Sequence, residues 1–197
     1  EPPIRLKDVY SGLFDLSKAL FKINENFFLL ADIPASGIID SLDEDLIRSV
    51  YVRLFAEFDF DVIIIDTPAG YTDEYYEYFT LADKISIVIT DEPTSLLDAY
   101  GLIKILLSFV DLDKLSMIVN NVIDWEEADE ISKKLNLATK KFLNFVIDVV
   151  GFVPYDRVVR QSILQQELFM INYPSSDVAK SIEQISKKIN EYISITV

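Results

Sequence analysis

Short β-rich runs alternate with longer helical patterns from Phe27 to the end of the chain, and this alternation constrains the fold most. Strands separated by helices are typical of βαβ units, in which the strands run parallel. Strands are predicted at residues 26–31, 60–66, 84–90, 115–122 and 145–153, and helices at residues 43–57, 73–81, 95–110, 125–143 and 175–194. The pattern predicts an α/β fold with an open, mostly parallel sheet and helices on both faces.

Apolar patterning refines this prediction. Residues 62–65 and 85–89 are mostly continuous β-branched apolar runs, as expected for central strands that are covered on both faces. In the last helix Val178, Ile185 and Ile189 belong to one apolar stripe, which should dock on the sheet. We expect a single domain, in which residues 1–25 form connecting helices, 26–173 the sheet core and 174–197 a C-terminal helix.

Composition excludes several classes of function. A formal net charge of −15 works against nucleic-acid binding, which requires clustered Lys and Arg. The chain has no Cys and no His, so disulfides, thiolate chemistry and imidazole ligands are excluded within it. Its apolar runs are far shorter than the roughly 20 residues that span a bilayer, and no signal peptide is visible at Glu1. A cytoplasmic protein is therefore expected.

The segment 61–70 carries the strongest local signal, because Asp66 ends an apolar run and Gly70 follows within a sharp turn. Ligands of open α/β sheets bind outside the carboxyl ends of the strands, where a carboxylate suits Mg²⁺. A glycine there lets a backbone N–H approach a phosphate closely. The alternative is that Asp66 only caps the next helix.

Two further strand ends carry candidate polar groups. Asn120 has an amide that both donates and accepts hydrogen bonds, as binding the polar edge of a ligand requires, although an Asn here is also typical of a turn. Asn121 follows directly, which leaves the choice between the two open by one residue. Pro154 and Asp156 follow the last predicted strand, where a turn and a helix cap would explain them equally well.

Two other segments have both a structural and a functional interpretation. Asp91 and Glu92 lie at the predicted phosphate side, but a solvated pair beside a helix start is favoured. The aromatic stretch of residues 71–79 is typical either of core packing or of a nucleotide-sensitive interface.

Four motifs in one order resemble the MinD/ParA family of P-loop ATPases. DVIIIDTPAG (residues 61–70) resembles the switch II strand, and ADKISIVITDEPTSLLDAYGLIKIL (82–106) resembles the next strand and helix of its FlhG-like members. MIVNNV (117–122) is similar to the strand that ends in an adenine-reading Asn. GFVPYDRVVRQSILQQELFMINYPSS (151–176) resembles the closing strand and tail, and NFFLLADIPASG (26–37) the strand before the switch helix.

The resemblance implies an ATP-dependent switch in which Mg·ATP bridges two subunits into a homodimer. Asp66 would hold Mg²⁺, Gly70 would sense the γ-phosphate, and Asn120, Pro154 and Asp156 would hold adenine. The family further implies a regulatory protein partner and control of flagellar number or division-site placement.

One expected motif is missing from these residues. The chain has five glycines, at positions 12, 37, 70, 101 and 151, and none is followed by the Lys of a Walker A loop. We expect an N-terminal βαβ unit with this loop to precede Glu1, and the chain alone to be inactive as an ATPase. The alternative is a P-loop-less scaffold that keeps only protein contacts.

The membrane interpretation has little support in the sequence. MinD proteins usually end in a basic amphipathic helix, whereas residues 191–197 are neither basic nor clearly amphipathic. A response-regulator-like α/β domain, the third class, would leave the adenine-side motifs unexplained.

Overall fold

The computed structural model describes residues 2–31 and 44–194. Outside the described residues lie residue 1, residues 32–43 and residues 195–197. These include Gly37, the predicted helix start at residue 43 and the end of the chain. The chain divides into two compact units, residues 1–78 and residues 79–197. The single domain inferred from the sequence stays a prediction, and each unit is described by itself.

The second unit contains a parallel sheet. Its strands are β3 (Ile85–Ile89), β4 (Leu115–Val122) and β5 (Asp148–Pro154), in the order β3-β4-β5. The connecting helices are α5 (Pro93–Leu106) and α6 (Trp125–Leu143), with a short 3-10 helix immediately before β4. The α/β architecture with parallel strands is confirmed, and the predicted bounds of β4 and α6 agree with the observed ones.

Three helices follow the sheet: α7 (Arg157–Gln165), α8 (Phe169–Asn172) and α9 (Asp177–Ser194). The sequence predicted α9 but not α7 or α8. Val178 and Ile185 of α9 are buried, and α9 packs against β5 as its apolar stripe predicted. Among the described residues no helix is long and apolar enough to span a membrane.

Strand β3 departs from the prediction of a strand that is covered on both faces. Ile85, Ile87 and Ile89 are buried, whereas Ser86 and Val88 between them are exposed. Within the described residues β3 is an edge strand of the sheet, and one of its faces is uncovered. The apolar run of residues 85–89 is therefore buried on only one face of the sheet.

The first unit combines short helices with an antiparallel hairpin. Its elements are α1 (Leu6–Tyr10), α2 (Leu16–Ala19), β1 (Leu20–Lys22), β2 (Phe28–Leu30) and α3 (Glu44–Glu57). A strand within residues 26–31 is confirmed as β2, but its expected parallel pairing is wrong. The intervening loop has only five residues, and so short a connection can join only antiparallel strands.

A small core holds the first unit together. The ring of Phe60 lies 5.6 Å from Phe28 and 5.7 Å from Phe58, beside this core. Its buried members come from α1, α2 and α3: Leu6, Val9, Leu16, Ala19, Val50 and Leu54. A 3-10 helix at Asp73–Tyr75 continues into α4 (Tyr76–Leu81), which confirms the helix predicted for residues 73–81.

The strand predicted at residues 60–66 is not formed. This segment has no regular secondary structure, and Ile64 is 87% exposed. A strand requires a hydrogen-bonding neighbour for its backbone, and no described segment pairs with these residues. The β-branched run alone therefore does not produce a strand.

Candidate functional site

The carboxyl ends of β4 and β5 bring two of the predicted site residues to one edge of the sheet. Asn120 is in register with Val153, and Val122 is in register with Pro154. The backbone N–H of Tyr155 donates to the carbonyl of Val122 at 2.7 Å, which extends the connection past the last ladder pair. Asn120 and Pro154 therefore lie at the same edge, as the parallel topology predicts.

The two adjacent asparagines have different conformations. Asn121 is exposed and has a φ of 64°, in the left-handed region that Asn tolerates better than most residues. The ladder is irregular between Asn120 and Val122, so Asn121 is the extra residue of a bulge. The turn-forming role thus belongs to Asn121. Asn120 is half-buried and makes no side-chain hydrogen bond with any described residue, so both halves of its amide are open.

Asp156 acts as a helix cap. Its Oδ1 accepts a hydrogen bond from the backbone N–H of Val158 at 3.0 Å, at the N-terminus of α7. This is the structural interpretation that the sequence left open beside adenine binding. The contact fixes the start of α7 directly after Pro154 and Tyr155.

Asp66 and Gly70 belong to the other unit. Both are exposed, in the irregular segment that follows Phe60. Gly70 has a φ of 89°, and a Cβ placed there would meet no atom within 4 Å. The glycine is thus required for its backbone conformation rather than for space. The structure brings Asn120 and Pro154 to one sheet edge, with Asp156 two residues further along the chain, whereas Asp66 and Gly70 lie in the first unit.

No group of three acidic side chains within the described ranges is close enough to hold a metal ion. Mg²⁺ commonly keeps several waters and binds a protein through one or two carboxylates together with substrate phosphates. Asp66 is an exposed single carboxylate, which fits this mode of binding and does not fit an all-protein cage. The open amide of Asn120 likewise fits the donor and acceptor edge of a purine.

The aromatic stretch after Gly70 has a packing role within its unit. The Tyr78 ring lies 5.5 Å from Tyr51 and 6.1 Å from Tyr75. Burial, together with the neighbouring Tyr78, raises the pKa of the Tyr51 hydroxyl above its usual range. Glu77 is buried and forms an ion pair with Arg48 at 3.1 Å. A nucleotide-sensitive interface at this stretch remains a prediction.

The acidic pair at the start of α5 is solvated. Asp91 and Glu92 are exposed, and Glu92 occupies the N-cap position without a capping side-chain hydrogen bond. Ser95 instead accepts from the backbone N–H of Thr90 at 3.0 Å. This agrees with the interpretation that the sequence favoured.

Tyr100 lines an apolar cavity of about 350 Å³ between α5 and α6. Its ring lies 6.5 Å from that of Phe142. The remaining lining residues are Leu96, Leu97, Lys134, Leu135 and Ala138. Neither Asn120 nor Pro154 lines this cavity, so it is separate from the candidate nucleotide edge.

Sequence reasoning missed the exposed aromatic residues at the sheet edge. Tyr155 is 61% exposed just after β5, and Trp125 is 53% exposed at the start of α6. The Trp125 ring packs 5.6 Å from Phe152, whereas Tyr155 makes no ring contact with any described residue. An aromatic residue directly after a strand end was the available signal.

Curated relatives include proteins named for determining the site of the flagellum or of the septum. The antiactivator FleN of Pseudomonas aeruginosa is 30% identical over 132 residues, which is 67% of this chain and 47% of FleN. The septum site-determining protein MinD of Bacillus subtilis is 29% identical over 160 residues, 77% of this chain and 55% of that protein. The flagellum site-determining protein YlxH of Helicobacter pylori is 24% identical over 127 residues, 64% of this chain and 42% of YlxH. The chain spans about half the length of these relatives.

Solved structures show the same fold. MinD in the MinC:MinD cell division complex of Aquifex aeolicus has a TM-score of 0.73 at 21% identity, over 95% of this chain and 73% of that one. The septum site-determining protein MinD of Pyrococcus horikoshii, complexed with Mg-ADP, has a TM-score of 0.71 at 20% identity, over 98% and 76% respectively. No protein-family model matches the chain.

Proposed function

The chain belongs to the MinD/ParA-type family of P-loop ATPases, and we propose that it supplies the adenine-binding and switch segments of an ATP-dependent molecular switch. The observation that carries the proposal is the meeting of Asn120 and Pro154 at one sheet edge, with the Asn120 amide open to a ligand. In this proposal Asn120, Pro154 and Asp156 hold the adenine.

Asp66 and Gly70 supply the phosphate-side groups of the same proposal. The exposed carboxylate of Asp66 would hold Mg²⁺, and the positive φ of Gly70 would leave its backbone N–H available to a phosphate. Mg²⁺ held there would supply positive charge that stabilises the phosphates during ATP hydrolysis. The Gly-Lys loop that grips those phosphates is not found among these 197 residues, so we expect this stretch alone to be inactive.

The names of the relatives support a proposal for the biological role. FleN, YlxH and MinD are named for antiactivation, for flagellum placement and for septum placement. We propose that the protein controls the number or position of a flagellum or of the division site. ATP binding would form a homodimer that engages a regulatory protein, by analogy with the MinC:MinD complex.

A direct test measures ATP binding and turnover by the full-length protein in Mg²⁺, together with its mass in solution with and without a non-hydrolysable ATP analogue. We expect binding, slow hydrolysis and an ATP-dependent dimer. Asp66→Asn should lower turnover and its dependence on Mg²⁺, while an exposed carboxylate outside the site, Asp98→Asn, should leave both unchanged.

The second candidate function is a scaffold without nucleotide chemistry. Full-length protein that neither binds nor hydrolyses ATP, yet still captures a regulatory partner, would establish the scaffold and overturn the switch.

A further inference from the structure

Tyr155 is held in place by its backbone while its ring stays open. Its N–H donates to the Val122 carbonyl at 2.7 Å, and Pro154 before it and Asp156 after it are fixed by the ladder and by the α7 cap. The side chain is nevertheless 61% exposed and contacts no other described ring. A rigid backbone that presents an open aromatic ring is pre-organised for stacking.

The position of Tyr155 complements that of Asn120. Asn120 is in register with Val153, two residues before Tyr155, so the two residues lie near the carboxyl ends of neighbouring strands. An Asn amide reads the edge of a base but offers no surface to its flat face. Aromatic rings supply that surface, and they stack on any base because every base has a π-face.

Trp125 is the other exposed aromatic residue at this edge, but its ring already packs against Phe152. Tyr155 therefore has the free face that a planar ligand needs. Its neighbours Pro154 and Asp156 are the residues that the proposed function assigns to adenine.

We propose that Tyr155 stacks on the purine ring of the bound nucleotide and sets its affinity, beside the edge-reading role that the proposed function gives to Asn120. This inference rests on the proposed function. The two residues then have different effects on binding. The stacking residue contributes equally to the affinity for all purine nucleotides, and the edge-reading residue distinguishes between them.

The test is calorimetric binding of ATP and of GTP to full-length protein in Mg²⁺. Tyr155→Ala should weaken the binding of both nucleotides by about tenfold and leave the ratio of their affinities unchanged. Tyr155→Phe, which keeps the ring, should stay within about twofold of the wild type. Asn120→Ala should reduce the preference for ATP over GTP.

The matched control is Phe142→Ala. Phe142 is 65% exposed at the far end of α6, away from the carboxyl edge of the sheet, and its removal should leave nucleotide affinity unchanged. If Tyr155→Ala keeps wild-type ATP affinity while Asn120→Ala loses selectivity, the stacking role is overturned and the switch function stands. If wild-type protein binds neither nucleotide, the proposed function itself fails.

Discussion

Gly151 of β5 lies directly against Ile185 of α9, and a Cβ on Gly151 would stand 2.5 Å from Ile185 Cγ1. Real side chains do not approach so closely, and β-branched Ile185 cannot easily rotate away. The helix packs on the sheet here because residue 151 has no side chain. This contact explains why a glycine stands inside the strand.

Gly151→Ala should therefore destabilise the protein by about 1–3 kcal/mol, as overpacked cores do. Urea unfolding measures the change in the free energy of unfolding. The cost should shrink in an Ile185→Ala background, where the nearest remaining atom, Cβ, lies 3.9 Å away. Gly101→Ala is the matched control, because a Cβ there meets nothing within 4 Å and alanine favours the helix of α5. Equal losses for the two glycines would contradict the steric explanation.

Asn136 ties α6 to the start of β5. Its amide donates to the carbonyl of Ile147 at 3.0 Å and accepts from the N–H of Ile147 at 2.8 Å, and Ile147 is 1% exposed. Asn136→Ala leaves two buried backbone groups without partners, so we expect a loss of about 1–3 kcal/mol. Thermal unfolding gives the readout. Leu137→Ala, at a 70% exposed neighbour on the same helix, should change stability far less.

Asp15 links stability to pH. Hydrogen bonds from the backbone and side chain of Ser17, and then from Arg53, lower its pKa to about 2 from 3.8. A lowered folded-state pKa contributes stability that is complete above the unfolded value and is lost as pH falls through the folded value. The contribution of Asp15 should thus fade between pH 4 and pH 2.

The corresponding experiment compares the wild type with Asp15→Asn in urea at pH 7, 4 and 2. The difference in unfolding free energy between them should be largest at pH 7 and shrink toward pH 2. Asp98→Asn, at an exposed carboxylate for which no such bonds are found, provides the control. A difference that does not change with pH would show that Asp15 contributes through shape rather than charge.

The sequence predicted the elements whose signals are local. For α6, the Asp124 side chain caps the first turn by accepting from Glu127 N–H at 2.9 Å, and Asn144 ends the helix with a φ of 54°. Both are residue types whose chemistry is visible without a structure.

The predictions from sequence failed where the structure of a segment depends on the segments that pack or pair with it. Residues 60–66 have strand composition, but a strand needs a hydrogen-bonding partner that composition does not supply. Helix α7 was not predicted although its apolar and polar residues separate at helical spacing, and its Ile163 and Leu164 are 70% and 77% exposed.

For the candidate site, too, the sequence predicted one feature and could not predict another. Parallel topology was enough to predict that Asn120 and Pro154 share an edge, because the carboxyl ends of parallel strands meet there. Sequence could not separate Asn120 from Asn121, since a bulge shifts the pattern by one residue and leaves no compositional trace.

Asn121 offers the last test of that assignment. Its φ of 64° disfavours side chains with branched Cβ atoms, so Asn121→Val should cost about 1–2 kcal/mol of stability. Asn121→Gly should cost little, because glycine adopts this conformation freely. Denaturant unfolding of both variants gives the comparison. If valine and glycine are tolerated alike, the bulge is not held at this residue, and Asn120 and Asn121 become equivalent candidates for reading the base.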